Sequence, residues 1–337
     1  MVEKLNINIE KKTVLVAPLD WGLGHATRCI SIINILITQN CNVIIAADTA
    51  ITILLKKTFP NLTFLHLLGY NIKYSKTKKG LPLKIISQLP QIFKAIKNEN
   101  NWLQKVVTEH NIDVVVSDNR PGLYNSKVKC IYITHQLTIK ANNKFIERWI
   151  QKLHYKYINK FTECWVPDVE GENNLAGKLS HPKRKPQIPV KYIGALSRFV
   201  KKDLPVIYDV AIVLSGPEPQ RTIFENIILS QLKNTSKKIV LVRGLLNSDV
   251  LINNLPSNIN YYNFLNADDL NDIMLQSNLI ICRSGYSSIM DLEVLQKKAV
   301  LVPTPGQTEQ EYLAKRLATK NNYSTVTQSE FDLQKLL

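Results

Sequence analysis

The sequence has few of the features that mark secreted, disulfide-linked or membrane-spanning proteins. Its five cysteines are odd in number and scattered, and no two form a CxxC pair, so neither a disulfide framework nor a zinc site is indicated. No apolar run is long enough to cross a bilayer. The N-terminal stretch MVEKLNINIEKK lacks the apolar core of a secretory signal. We therefore expect a cytoplasmic protein.

Acidic residues are scarce in the first half of the chain. The formal net charge is +16, and residues 1–195 hold 28 Lys and Arg against 13 Asp and Glu, whereas residues 196–337 hold 15 against 14. Lysine enrichment from AT-rich codons explains much of the total charge and less of its asymmetry. The asymmetry indicates that the first half meets an anionic partner, such as a membrane surface, an acidic glycan or a nucleic acid.

Short apolar, β-branched runs alternate with amphipathic stretches along the whole chain, and 337 residues are too many for one typical domain. The alternation predicts two doubly wound α/β domains with parallel sheets, covering residues 1–190 and 191–337. In the first domain the predicted strands are residues 13–19, 42–48, 63–68, 112–118 and 130–135. In the second they are residues 191–194, 208–216, 237–244, 278–285 and 297–303.

Two predicted helices in the first half are basic and amphipathic, residues 83–107, interrupted by Pro90, and residues 140–161. In the second of them a basic residue recurs every four positions from 140 to 160, which gives a basic stripe on a helix. Such helices suit peripheral contact with an anionic membrane, on the inner face of the cytoplasmic membrane. A helix with its apolar face in the core and a solvated lysine face explains the pattern at least as well.

The first predicted strand runs into the loop PLDWGLGHATR, residues 18–28. Gly22 and Gly24 allow a tight turn and close approach of a ligand, and His25 begins the next helix, whose positive end favours a neutral imidazole. Asp118 and His135 end two further strands and are predicted to share the same sheet edge as His25. An incidental histidine, a helix-capping aspartate and a structural histidine remain the alternatives.

The second half carries a glycine turn and a longer segment whose residues are suited to binding a nucleotide sugar. Ser215 and Gly216 follow a strand, as in a backbone phosphate cradle, and Arg221 is predicted to add charge there. The segment RSGYSSIMDLEVLQKKAVLVPTPGQTEQEYLA, residues 283–314, opens with a second Ser-Gly turn and a helix start suited to a diphosphate. Its carboxylates suit a ribose, and its later polar residues suit sugar hydroxyls. We call residues 283–314 the donor segment.

At these motifs the chain resembles the family 28 glycosyltransferases of the GT-B fold, whose relatives include the enzyme that completes the lipid-linked peptidoglycan precursor and the UDP-glucuronosyltransferases. The resemblance implies two Rossmann-like domains facing across a cleft, an N-terminal acceptor-binding one and a C-terminal one that binds the nucleotide sugar. The donor-binding positions that it implies are Arg198, Ser215, Gly216, Phe264, Leu265, Ser284, Gly285, Ser287, Ser288, Asp291, Gln310 and Glu311.

Two of these positions depart from the family's pattern. Asp291 stands where a ribose-binding glutamate is usual, with Glu293 as the fallback, and Glu311 stands where a second glutamine is common. The resemblance further implies that His25 is the base, with Asp118 as its partner, and that Gly22, Gly24 and His135 lie on the acceptor side.

The implied reaction is an inverting transfer of a hexose-type sugar, with N-acetylglucosamine as one candidate, from a UDP-sugar to an unknown acceptor that is lipid-linked or part of the cell envelope. No metal and no cofactor beyond the UDP-sugar co-substrate are expected, since Asp268-Asp269 is not an Asp-x-Asp motif and fits helix capping better. Two alternatives stay open, a UDP-sugar epimerase or hydrolase on the same fold and a basic nucleic-acid-binding protein. The last depends on charge alone, and no nucleic acid partner is expected.

Overall fold

The structure, a computed structural model, describes residues 9–20, 23–70, 88–139, 144–233, 235–246, 249–320 and 322–337. These residues divide into two compact units, unit 1 ending at Leu196 and unit 2 running Ser197–Leu337. Each unit is built on one parallel sheet, which confirms the predicted α/β class.

Unit 1 contains a seven-stranded sheet with the strand order β3-β2-β1-β4-β5-β6-β7, in which every neighbouring pair is parallel. Its strands are β1 (Thr13–Pro18), β2 (Asn42–Ala47), β3 (Thr63–His66), β4 (Val114–Asp118), β5 (Lys129–Ile133), β6 (Glu163–Val166) and β7 (Val190–Tyr192). Its helices are α1 (Leu23–Thr38), α2 (Thr49–Thr58), α3 (Leu89–Glu109), α4 (Lys144–Ile158) and a 3-10 turn at Gly177–Leu179.

Two sequence predictions in unit 1 need correction. Residues 191–194 were predicted to open the second domain, but β7 pairs with β6 in the first sheet, so the predicted boundary after residue 190 falls inside β7. Pro90 was predicted to interrupt a helix, but it lies in the first turn of α3, where a missing N–H costs nothing. Residues 83–87 and 140–143 of the two predicted basic helices lie outside the described residues.

Unit 2 contains a six-stranded parallel sheet with the order β10-β9-β8-β11-β12-β13. Its strands are β8 (Tyr208–Val213), β9 (Ile239–Val242), β10 (Ile259–Tyr262), β11 (Ser277–Cys282), β12 (Lys298–Leu301) and β13 (Tyr323–Thr325). Its helices are α5 (Gln220–Leu232), α6 (Ala267–Leu275), α7 (Tyr286–Leu295), α8 (Thr308–Leu317) and α9 (Leu333–Leu336).

The sheet cores follow from the apolar runs, since strands covered on both faces need apolar side chains on both. The core of unit 1 includes Leu15, Val115 and Tyr132, and that of unit 2 includes Ile212, Phe224 and Ile281. No helix among the described residues is both long and apolar enough to cross a membrane.

The strand order reverses once in each sheet, between β1 and β4 in unit 1 and between β8 and β11 in unit 2. At such a reversal the two following loops diverge and leave a crevice at the carboxyl edge of the sheet. Pro18 pairs with Asp118 in unit 1, and Val213 pairs with Cys282 in unit 2, so both strands of each pair end at the same level. The described ends of the first predicted glycine loop, residues 18–20 and 23–28, and the Ser215-Gly216 and Ser284-Gly285 turns therefore lie at the two crevices.

Candidate functional site

The crevice of unit 1 brings together the three polar side chains predicted for it. His25 lies in the first turn of α1, Asp118 ends β4, and His135 follows β5. The Nδ1 atom of His25 is 3.0 Å from Oδ2 of Asp118, and the Asp118 side chain is fully buried. We call these three residues together with Arg28 the His25 cluster.

Arg28 is the member of the His25 cluster that sequence reasoning missed. Its Nε donates to Oδ2 of Asp118 at 2.8 Å, and its Nη2 donates to Oδ1 of the same carboxylate. Its Nη1 lies 3.3 Å from Nδ1 of His135. The signal available in the sequence was the spacing, since Arg28 follows His25 by three positions and so lies on the same face of α1.

Charge and burial set the ionisation of Asp118 and His25. Burial by itself would raise the pKa of Asp118, but the charge of Arg28 and the contact with His25 outweigh it and lower the pKa to about 2. Burial lowers the pKa of His25, and Arg28 lowers it further against the opposing effect of Asp118. The arrangement therefore holds an ionised carboxylate against an imidazole that is neutral near pH 7, which is the state a general base requires.

A second buried network holds the end of β1. The fully buried Arg120 donates from Nε to Oε1 of Glu99 on α3 at 2.6 Å and from Nη1 to the carbonyl of Pro18 at 3.3 Å. Tyr70 donates its hydroxyl to Oε2 of Glu99 at 2.5 Å. These bonds tie the end of β1 to α3. Among the predicted acceptor-side glycines, Gly24 lies in the first turn of α1 and Gly22 lies outside the described residues.

The crevice of unit 2 is lined by the two Ser-Gly turns. Gly216 has a φ of +104°, which an L side chain rarely adopts, and Ser215 beside it is exposed. Gly285 is the N-cap of α7, where no side chain forms a capping bond and an added Cβ would meet no atom within 4 Å. Both turns thus present backbone to an open space at the switch point, as an anion site at a helix N-terminus requires.

Asp291 and its neighbours lie along α7. The Ser197 hydroxyl donates to Oδ1 of Asp291 at 2.5 Å. Burial raises the pKa of Asp291 to about 6, although the Ser197 bond and the charge of Arg198 lower it in part. Glu293, the fallback for the ribose contact, instead accepts a bond from the Tyr323 hydroxyl at 3.2 Å and so faces β13.

The polar residues after β12 brace their own turn. Oε1 of Gln310 accepts from the Thr304 amide at 2.9 Å, and Oε1 of Glu311 accepts from the Gly306 amide at 3.1 Å. The hydroxyl of the buried Ser284 donates to the Gln310 carbonyl at 2.9 Å, which joins this turn to the start of α7. Ser284, Gln310 and Glu311 therefore lie together, with these polar atoms engaged within the protein.

Other predicted positions of unit 2 lie at the same carboxyl edge. Ser287 and Ser288 are in the first turn of α7, while Phe264 and the buried Leu265 connect β10 to α6. The prediction that Arg221 adds charge to the first Ser-Gly turn is wrong, because its guanidinium pairs with Glu218 at 2.6 Å and Glu225 at 2.9 Å.

Asp268 and Asp269 lie in the first turn of α6, where Asn266 caps the Asp269 amide. In the described ranges no group of three or more His, Cys, Asp or Glu side chains is arranged to hold a metal ion.

Comparisons with known proteins agree with this architecture. Residues 211–337 match the glycosyltransferase family 28 C-terminal domain. A curated relative from Alkaliphilus oremlandii, the UDP-N-acetylglucosamine–N-acetylmuramyl-(pentapeptide) pyrophosphoryl-undecaprenol N-acetylglucosamine transferase, is 23% identical over 280 residues, which cover 78% of this chain and 73% of that protein.

Solved structures show the same fold over almost the whole length. An Arabidopsis thaliana glycosyltransferase complexed with UDP-L-rhamnose superimposes with a TM-score of 0.64 at 12% identity, covering 97% of this chain and 88% of that chain. MurG of Acinetobacter baumannii superimposes with a TM-score of 0.52 at 16% identity, covering 96% of this chain and 88% of that chain. The two Rossmann-like units are those of a GT-B protein.

Proposed function

We propose that this chain, a family-28-like glycosyltransferase of the GT-B fold, transfers a hexose-type sugar with inversion from a UDP-sugar to an acceptor hydroxyl. The observation that carries the proposal is the family 28 match over residues 211–337, because it includes both Ser-Gly turns of the unit 2 crevice. The relatives named for UDP-linked donors support uracil as the base and N-acetylglucosamine as the first sugar to test.

In the proposed reaction, unit 1 supplies the base. With Nδ1 of His25 protonated and donating to Asp118, the Nε2 atom of the ring takes the proton from the acceptor hydroxyl. The acceptor oxygen then forms a bond to the anomeric carbon while the bond from that carbon to the diphosphate oxygen breaks. UDP leaves with the bonding electron pair, and the configuration at the anomeric carbon inverts. Asp118, ionised above a pKa of about 2, stabilises the imidazolium.

Unit 2 binds the donor in this proposal. Backbone N–H groups at the start of α7 and the Arg198 guanidinium stabilise the charge that develops on the leaving diphosphate, without a metal ion. Asp291 accepts from the ribose hydroxyls, and the backbone at Phe264 and Leu265 reads the uracil edge. Gln310 and Glu311 contact the sugar. The bonds of these two to the turn at residues 304–306 fix their positions.

The proposal is tested by calorimetric titration of the whole chain with UDP, UDP-N-acetylglucosamine, UDP-glucose, UDP-glucuronic acid and a dTDP-sugar. Binding of at least one UDP-sugar, with weaker binding of the dTDP-sugar, is the expected result, whereas no binding of any nucleotide diphosphate would refute it. Product analysis without acceptor separates the alternatives, because an epimerase or hydrolase would consume the donor under that condition and a transferase would largely preserve it.

Donor affinity is expected to fall as the pH is lowered from 7.5 to 5.5. Burial raises the pKa of Asp291 to about 6, so below that pH the side chain gains a proton and loses acceptor capacity for the ribose hydroxyls. Titration with UDP-N-acetylglucosamine, which has no group that ionises in this interval, measures the effect. Asp291→Asn is the matched control, expected to bind more weakly at pH 7.5 and with little pH dependence. An equal change of donor affinity with pH in the unmodified protein and in Asp291→Asn would contradict the assignment of Asp291 to the ribose.

The first turns of α4 present an apolar surface that fits a membrane-borne acceptor. Phe145 is 79% exposed and Trp149 53% exposed, and Ile146 beside them is also exposed. Arg148 and Lys152 are exposed on the same helix. Because α4 begins after β5, this surface lies at the carboxyl edge of the sheet, which is the edge of the His25 cluster. We propose that it rests on an anionic membrane.

Vesicle binding tests this surface. The unmodified chain is expected to sediment with vesicles containing anionic phosphatidylglycerol more than with neutral phosphatidylcholine vesicles. The double change Phe145→Ser with Trp149→Ser is expected to remove most of that binding, because it removes the two largest exposed apolar side chains of α4. Leu251→Ser in unit 2, where the leucine is 71% exposed, is the matched control. Equal partitioning onto both vesicle types would count against the proposal.

A further inference from the structure

The guanidinium of Arg28 contacts every other member of the His25 cluster. It is only 2% exposed, and it holds both carboxylate oxygens of Asp118 through Nε and Nη2. Nη2 also lies 2.8 Å from Nδ1 of His25, and Nη1 lies 3.3 Å from Nδ1 of His135. A buried, always protonated group therefore lies directly against the imidazole that the proposed reaction uses as its base.

Two neighbours have opposite effects on the ionisation of His25. Oδ2 of Asp118, at 3.0 Å from Nδ1, favours a proton on that atom and stabilises the charged ring, because a carboxylate only accepts. Nη2 of Arg28, at 2.8 Å from the same atom, disfavours the second proton that would charge the ring, because the guanidinium carries a positive charge. In an ordinary His-Asp pair the carboxylate acts alone and raises the pKa of the imidazole.

His135 and two buried residues next to the His25 cluster do not cancel the effect of Arg28 on the ionisation of His25. His135, after β5, lowers the pKa of His25. Cys29 of α1 lies 3.8 Å from Oδ2 of Asp118 through its Sγ, and Tyr132 of β5 is buried near the same carboxylate. Burial raises the pKa of both the Cys29 thiol and the Tyr132 hydroxyl, so both stay neutral at pH 7. Burial lowers the pKa of His25 most, and among the charged neighbours Arg28 and Asp118 have the largest effects on it.

We propose that Arg28 is a positioning residue that keeps His25 uncharged in the resting protein and fixes the Asp118 carboxylate in the orientation that receives the imidazolium. The part about the reaction rests on the proposed function, while the part about ionisation does not. Without the guanidinium, His25 and Asp118 would form an ordinary buried ion pair. The pKa of His25 would then be higher, because only burial and the weaker effect of His135 would oppose Asp118, and a larger share of His25 would be protonated and unable to accept a proton from a hydroxyl.

The ionisation of His25 is measured directly by NMR titration of the labelled imidazole in the whole, substrate-free chain. In the unmodified protein His25 is expected to titrate below its ordinary value of 6.5. Arg28→Gln is expected to move the titration upward, whereas Arg28→Lys, which keeps the charge, is expected to return it to the low range. Arg184→Gln, which removes an exposed arginine of unit 1, is the matched control and is expected to leave it unchanged.

Two results would overturn the proposal. One is an unmodified protein in which His25 titrates at or above 6.5, a measurement that needs no variant and so holds even if Arg28→Gln fails to fold. The other is a folded Arg28→Gln variant whose His25 titrates as in the unmodified protein. Neither depends on activity, so a chain that binds no nucleotide sugar would refute the proposed function and leave this inference standing.

Where transferase activity is found, its pH profile provides a second readout. Arg28→Gln is expected to lose more of its kcat/KM at pH 6 than at pH 8, because a raised pKa of His25 moves the acid limb of the profile upward. Arg28→Lys is expected to restore the acid limb. A loss of equal size at both pH values would indicate a purely structural role for Arg28.

Discussion

Replacing His25 with alanine is expected to lower kcat for sugar transfer by about 10²- to 10⁴-fold, the usual contribution of a positioned general base. The KM for the donor is expected to change little, because the proposed donor contacts are all in unit 2. The measurement is steady-state transfer from UDP-N-acetylglucosamine, or from whichever donor the binding screen identifies, at saturating donor. Asp118→Asn is also expected to lower kcat, since it removes the negative charge beside Nδ1 of His25 that stabilises the imidazolium.

The matched control for His25→Ala is His66→Ala. His66 is an exposed histidine at the end of β3 in the same unit, and its change is expected to leave kcat within about twofold. A His25→Ala protein that binds donor and transfers sugar at the unmodified rate would contradict the assignment of the base. A His25→Ala protein that loses donor binding along with kcat would place His25 in the donor site instead.

The strands that could be predicted from the sequence are the continuously apolar ones, because only buried central strands need apolar side chains on both faces. β1, β4, β8 and β11 are of this kind and flank the two switch points. The strands that were not predicted are short and partly polar, such as β10, with the sequence INYY, and β13, with YST. These two are the edge strands of the second sheet, where one side has no neighbour to select for apolar character.

The part of the candidate site that lies at the ends of strands could be predicted from a single topological rule. Polar residues at the carboxyl ends of parallel strands share one edge, and this rule brings His25, Asp118 and His135 together. The rule does not cover Arg28, which lies inside α1 and not at the end of a strand, and its contact with Asp118 follows only when the helical spacing of three from His25 is added. For Arg221 a local signal existed, since Glu218 and Glu225 lie at the helical spacings of three and four and take up its charge.

The start of α7 allows donor binding to be separated from folding by one substitution. Gly285 has φ −68° and ψ 142°, a backbone conformation that any L residue adopts, and an added Cβ meets open space. Aspartate is among the preferred N-cap residues, since its side chain accepts from the first N–H groups of the helix. Gly285→Asp is therefore expected to fold normally and to keep or slightly raise the free energy of unfolding, by a few tenths of a kcal/mol.

The same substitution is expected to weaken UDP-sugar binding by at least about 100-fold, or ~2.7 kcal/mol. The new carboxylate would occupy the N–H groups that the proposal assigns to the diphosphate, and it would repel the diphosphate charge. Gly285→Asn is the matched control, since asparagine has nearly the same shape and caps a helix equally well without the charge. Calorimetric titration of both variants, with thermal unfolding as the check on folding, gives the comparison. An aspartate variant that binds the UDP-sugar as tightly as the unmodified chain would show that the diphosphate does not lie at the start of α7.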